Sequence, residues 1–357
     1  MYLTLRKLVG LTSCILGFCL VFSGMVMANA PLLTIYDAFK LAESNSVSLQ
    51  IAKLKYENEE TAWKKVQFGT YTPLQQRSFQ LTWQKAQTVY QDARMNLVNT
   101  VIDSYTSVQI AKLDCEIKGL SAAEAKRNLA KQQILAEKGS VGPAEVLQAQ
   151  MSLMQAENAL ERANDALIAA TRSLQRLLGV ETLPQLCADW PLKTPDIAIT
   201  LEETIAAGMA SSSTIKDLEN ALYLQQIARA QDIATGLAPL DDIRSSNDLR
   251  LAELALLEAK ENRIDSITTQ FNSLVQLQKS LALQQTSFTL AQKQYDIACQ
   301  QVEAGIKTTF DLAKDEITFL QAQQSLWSAQ KSYIMAWLSF KQLLGQQTDL
   351  SEVVQHD

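Results

Sequence analysis

The stretch "GIKTTFDLAKDEITFLQAQQSLWSAQ" occupies residues 305–330, and "GSVGPAEVLQAQMSLMQAENALERA" occupies 139–163. Each starts at a glycine, crosses a short polar turn to an acid and enters a helical pattern. The two glycines lie 166 residues apart (305 − 139). Gly179 and Gly345 keep the same offset, each closing an "LLG". At that offset "LTIYDA" (33–38) falls on "ITLEET" (199–204), and "TPL" (72–74) on "APL" (238–240). Gln155 and Ala156 fall on Gln321 and Ala322, Leu160 on Leu326, and Ala163 on Ala329. An ungapped offset held over such a length marks one pattern written twice.

Each half predicts the same series of elements. A short helix opens it, at 34–44 and again at 200–210, with Thr34 and Asp37, or Thr200 and Glu203, placed as a helix start. A medium helix follows at 47–68 and 214–234, then a breaker at Pro73 or Pro239. A very long helix descends to Gly139 or Gly305, and a last one returns to Gly179 or Gly345. The returning helix has a period of seven. Val146, Leu153, Leu160, Leu167 and Leu174 fill one position, and Ala149, Ala156, Ala163, Ala170 and Leu177 the position three residues on. The second copy places Leu312, Phe319, Leu326, Tyr333 and Phe340 against Ala322, Ala329, Ala336 and Leu343. Large residues alternating with alanine along a heptad form a close-packing seam, as in a coiled coil or a helical-bundle core. The stretch 81–138 alone would be about 85 Å long at ~1.5 Å per residue, so it has to pack sideways along its length. The expected fold is all-α, with long antiparallel coiled-coil helices in two tandem repeats at 31–180 and 199–347. A linker at 181–198 joins them, and a tail at 348–357 follows.

Composition agrees. Only 12 glycines and 7 prolines interrupt 357 residues that are 47% hydrophobic, as few, long elements require. The formal charge is −6, and no Lys/Arg run is present, which argues against nucleic acid as a partner. Residues 1–30 read as an export signal: Arg6 and Lys7 precede a long apolar run ending in small residues. Without those two cations, 30 basic residues face 38 acidic ones, a balance near −8. The segment 8–28 is also about long enough for an uncleaved anchor, and "LTSC" (11–14) superficially resembles a lipoprotein box. Beyond this segment only Cys115, Cys187 and Cys299 remain, with neither disulfide-framework nor zinc spacing. The single histidine, His356, excludes a histidine-based metal site or catalytic triad. No nucleophile–base set, phosphate loop or metal constellation appears, so neither an enzyme nor a cofactor is expected.

With the duplication, the opening "LTIYDAFKLAESN", the turns "GSVGPAEV" and "GIKTTFDL", the paired "LLG" and the closing "QQTDL", the chain resembles the TolC family of outer-membrane efflux and secretion channels. The resemblance implies a homotrimer whose helices enclose a tunnel, with periplasmic tips at the glycine turns. There an adaptor protein docks and links the channel to an inner-membrane transporter. It points to Gly139, Val141 and Glu145 at the first tip, and to Gly305, Ile306 and Asp311 at the second. It also assigns Asp311 to an acidic constriction at the entrance. Three residues on, where the family carries a companion acid, this chain has Lys314, with Asp315 beside it. After Gly139 comes Ser140, where the second copy has Ile306.

One departure from that family is large. It places a β hairpin after each "PL", and a membrane strand needs about 9–11 residues. Here 69–78 and 235–246 are all that separates the helical patterns, and neither alternates. The chain is therefore expected to be barrel-less, and Asp241 and Asp242 read as a solvated turn. Two functions follow: an export conduit of the cell envelope, or an anchored coiled-coil scaffold that conducts nothing.

Overall fold

The structure, a computed structural model, describes residues 32–187, 189–236, 238–347 and 350–354. The leader at 1–30, His356 and parts of the 348–357 tail lie outside the described residues. Eight α-helices account for most of the rest: α1 (Ile35–Asn45), α2 (Val47–Phe68), α3 (Pro73–Glu137), α4 (Pro143–Leu178), α5 (Leu201–Ser211), α6 (Ser213–Thr235), α7 (Pro239–Glu303) and α8 (Thr309–Leu343). Among the described residues there is no β-strand, only two isolated bridges. Each helix of the second half starts 166 residues after its counterpart, as α7 does after α3 (239 − 73), and both of these have 65 residues.

The non-helical gaps are even shorter than the sequence patterns predict. Only 69–72 separates α2 from α3, and only 236–238 separates α6 from α7. Pro73 and Pro239 are not breakers between elements but the first residues of the long helices, where a missing N–H costs nothing. Thr72 completes a capping box with Gln75. Asp241 and Asp242 lie in the first turn of α7 rather than in a loop, where negative charge suits the helix dipole. At ~1.5 Å per residue α3 and α7 are each rods of about 98 Å.

The long helices lie side by side in the order α4, α3, α8, α7, with α2 packed on the first part of α3 and α6 on that of α7. Every seam residue named above is partly or wholly buried, with Ala149, Ala163, Leu174, Leu326, Tyr333 and Phe340 inside. Above the ends of α4 and α8 the short helices take over their places. Asn45 Nδ2 donates to Leu178 O at 2.6 Å, and Ser211 Oγ to Leu343 O at 3.2 Å, so α2 and α6 continue those lines. The approach is close: a Cβ on Gly345 would come 2.6 Å from Ser211 Cβ.

The second junction has an extra clamp. Arg263 of α7 donates from Nε to Gly208 O at 3.2 Å and from its terminal nitrogen to Leu343 O, satisfying carbonyls that end α5 and α8. The corresponding residue of the first half (263 − 166) is Leu97. Making the halves alike with Arg263→Leu is expected to cost about 1.5–3 kcal/mol, the range for hydrogen bonds from a charged donor. A denaturant melt would measure it.

The linker and tail are more than connections. Leu33 bridges Leu186, and Leu192 bridges Val354. Tyr105 Oη donates to Leu33 O, Gln109 Nε2 to Cys187 O, and Tyr333 Oη to Pro195 O. Leu192, Leu350, Val353 and Val354 are buried in the main core. These segments form a belt around α3 and α8 at mid-rod. No described helix is long and apolar enough to cross a membrane.

Candidate functional site

The two hairpin tips follow from one backbone device. At the foot of α3, Ser140 N–H donates to Leu135 O at 2.8 Å and Gly139 N–H to Ala136 O at 2.9 Å. At the foot of α7, Ile306 N–H donates to Gln301 O at 2.8 Å and Gly305 N–H to Val302 O at 3.0 Å. This pair of bonds is a Schellman stop, which needs a left-handed residue, and both glycines have φ 71°. Both long helices thus end at the glycines that the sequence marks, and the chain reverses there.

The tips differ in chemistry. The first enters α4 through Gly142 and Pro143 with no side-chain cap, and Glu145 is exposed in the first turn. Val141 is half-buried rather than exposed. The exposed apolar side chains near this tip are Ile134, Leu147 and Met151 instead. At the second tip Ile306 is 79% exposed. Thr308 caps α8: its Oγ1 accepts from Asp311 N–H at 3.2 Å and donates to Asp311 Oδ2 at 2.7 Å. The Thr308 hydroxyl holds the Asp311 carboxyl below the usual aspartate range, aided by nearby Lys307 and Lys314.

Both lysines near the second tip have acidic partners. Lys307 pairs with Asp315 across the turn. Lys314 lies 3.6 Å from Glu124 of α3 and over the Phe310 ring. The structure therefore brings Asp311 and Asp315 close to two lysines, and each carboxylate already has a local partner.

Lys314–Glu124 is one rung of a polar ladder between the halves that the sequence reading missed. Gln324 Nε2 donates to Asp114 at 3.1 Å, Lys331 pairs with Asp103 at 2.7 Å, and Gln342 Nε2 donates to Asp92 at 3.0 Å. Asp92, Asp103 and Asp114 recur every eleven residues, about three helical turns, which puts them on one face of α3. That spacing was the available signal. Further missed side chains are the apolar ones left uncovered at the edges of the helix layer. On α4 these are Leu147, Met151, Met154 and Ile168, and on α7 they include Leu283, Leu290 and Ile297.

Antiparallel helix pairs of this length, two hairpin tips and a belt at mid-rod define the fold of a TolC-like helical tunnel protomer. Residues 76–180 match the family model described as outer membrane efflux protein. The whole fold is similar to CusC, at 15% identity over 88% of this chain and 96% of that chain, with a TM-score of 0.56. It is similar to the CmeC outer membrane channel of Campylobacter jejuni, at 15% identity over 89% and 86%, with a TM-score of 0.56. It is also similar to the outer membrane protein VceC of Vibrio cholerae, at 12% identity over 88% and 97%, with a TM-score of 0.57. No curated protein matches the chain in sequence. The resemblance to the TolC family holds: the first half carries the family's sequence match, and the described chain carries its helical fold without barrel strands.

Proposed function

We propose that this chain is one protomer of a trimeric helical export conduit in the cell envelope, docking a periplasmic adaptor and through it an inner-membrane transporter. The observation that carries the reading is the register of the two uncovered edges. Leu147 lies eight residues from its tip glycine (147 − 139), and so does Ile297 (305 − 297). Met154 and Leu290 each lie fifteen away (154 − 139; 305 − 290). Since α4 ascends and α7 descends, these residues would meet if α4 of one copy lay against α7 of the next. Leu283 would meet the stem of Glu161, whose methylenes can cover it. Such a contact between different surfaces closes into a ring when its rotation permits. Three copies would give six tips, supplied alternately by Gly139 and Gly305. The outer-membrane-efflux match of 76–180 supports the same assignment. A threefold hollow cylinder in particle images of the purified protein tests it, and solid rods or single protomers would refute it.

A non-conducting envelope scaffold is the second reading, favoured by the absence of strands among the described residues. The two differ in whether a hydrated passage exists, which ion flux through reconstituted protein would reveal.

In the conduit reading the tips are the docking surface. Ile306 leads at the second tip, with Asp311 and Asp315 at the entrance. Gly139, Val141 and Glu145 form the first. Because the Ile306 side chain is mostly in water, Ile306→Asp is expected to leave the melting point and oligomer size unchanged. It should abolish cross-linking to the adaptor. Export that survives Ile306→Asp combined with Val141→Asp would remove the tips from the docking surface.

A further inference from the structure

The opposite end of the rod is where barrel strands would emerge in a TolC-like channel, and here it carries a feature that the conduit reading does not use. Phe68, the last residue of α2, is 91% exposed. Tyr71, Leu74 and Phe79 are exposed beside it. The turn between them, Gly69-Thr70-Tyr71-Thr72, is uncharged. A column of ring pairs stiffens this end: Tyr56 on Tyr90, Trp63 on Trp83 and Tyr71 on Phe79, with centroids 5.8, 6.4 and 5.9 Å apart. Phe68 and Leu74 stay exposed beside these ring contacts.

Charge separates the α2–α3 turn from its counterpart, the α6–α7 turn. From 61 to 91 the chain contains Lys64, Lys65, Arg77 and Lys85 and no acid, in a protein of net charge −6. Glu60 pairs with Lys64, and Asp217 with Lys85. Arg77 is held by Asn220 and by the Tyr223 ring, which leave its charge in place. Lys65 has no ion-pair partner among the described residues. The corresponding window of the second half, 227–257, has Arg229, Arg244 and Arg250 against Asp232, Asp241, Asp242, Asp248 and Glu253. Its turn also exposes apolar side chains, with Leu240 81% exposed, but in an acidic setting.

We propose that the α2–α3 end is an interfacial membrane anchor, which seats on a phospholipid bilayer with Phe68, Tyr71 and Leu74 at the acyl boundary and Lys65 and Arg77 at the headgroup phosphates. The dimensions fit. Lys65 lies three residues before Phe68 and Arg77 four after Pro73, about 5–6 Å below the apolar tip along the helices. Interfacial elements bury their apolar side about 5–10 Å, with cations level with the phosphates. Aromatic side chains are enriched at that depth. A bilayer surface needs no unpaired backbone to enter it, and the capping box of Thr72 and Gln75 meets that condition at the turn. The proposal rests on the conduit reading only in taking this end to face the outer bilayer.

The test places an environment-sensitive fluorophore at Thr70→Cys in the full chain, with the five native cysteines replaced by serine. A matched label at Ser140→Cys marks the far end. The protein is mixed with phosphatidylcholine vesicles containing phosphatidylglycerol and a nitroxide-labelled acyl chain. The label at 70 is expected to shift to the blue and be quenched by the nitroxide, while the label at 140 is unaffected. Phe68→Ser with Leu74→Ser should weaken vesicle partition about tenfold or more. Lys65→Glu should weaken it about fivefold or more on anionic vesicles only. A water-like signal at 70 on vesicle-bound protein would overturn the proposal, since binding would then run through the leader or another surface. A blue shift that needs no vesicles and grows with protein concentration would also overturn it, assigning this end to a second copy whose acidic α6–α7 turn covers it. Label entry at 70 by a protein that forms no trimer would retire the conduit reading and keep the anchor. A trimer whose residue 70 stays in water would do the reverse.

Discussion

Ala163→Glu is expected to lower stability by about 3–5 kcal/mol, through a buried carboxylate with no partner and a seam with no room for it. Ala163 is wholly buried on the face of α4 that meets α3, at the alanine position of the heptad. A glutamate there must either lose its charge or push the helices apart, and the Schellman tip below and the Asn45 clasp above leave α4 little freedom to shift. Ala166 supplies the control. It lies on the same helix less than one turn away, and it is exposed. The same substitution there places a carboxylate four residues after Arg162 and is expected to change stability by no more than about 0.5 kcal/mol. Thermal melts followed by circular dichroism would separate the two variants. Equal melting points would mean that the heptad seam is not a tight interface.

The seam could be read in the sequence because coiled-coil packing is local and periodic. Positions seven apart return to the same face of their helix, so the face that the neighbouring helix buries is printed along the chain. The glycine tips were legible for a similar reason, since a Schellman stop needs only one residue that tolerates positive φ. Other features depend on contacts between distant residues. Nothing local announces that Leu192 and Val354 form a bridge, or that Gln109 holds the backbone of Cys187. The 181–198 stretch, with its prolines, therefore read as a plain linker. The α3–α8 ladder is intermediate. Its acids on α3 are periodic and so detectable, but their partners Lys314, Gln324, Lys331 and Gln342 belong to the other half and share no simple period. The basic window 61–91 was also visible as sequence. Dispersed over two helices it is no run of charge, and only the hairpin folds it into one end of the rod.

Leu290→Glu combined with Ile297→Glu is expected to turn a trimer into monomers while leaving the protomer folded. Both side chains lie on the outer edge of α7, 58% and 53% exposed in the single chain. Exchanging them for glutamate, a good helix former, should cost the isolated protomer no more than about 1 kcal/mol in total. In a closed ring both would be covered by Leu147 and Met154 of the next copy. Fully burying a leucine or isoleucine contributes about 1.5–3 kcal/mol and only about half of each remains to be covered here, so each interface would lose about 1.5–3 kcal/mol, or about 10- to 10²-fold in affinity, before the cost of desolvating two carboxylates. Three interfaces close the ring, and all carry the lesion. Light scattering should then report about one chain mass, 39.6 kDa for the full sequence, in place of three. Circular dichroism should be unchanged. A variant that stays trimeric would show that α7 does not form the edge. Monomeric unmodified protein at the concentrations used for imaging would remove the conduit altogether and leave the scaffold reading.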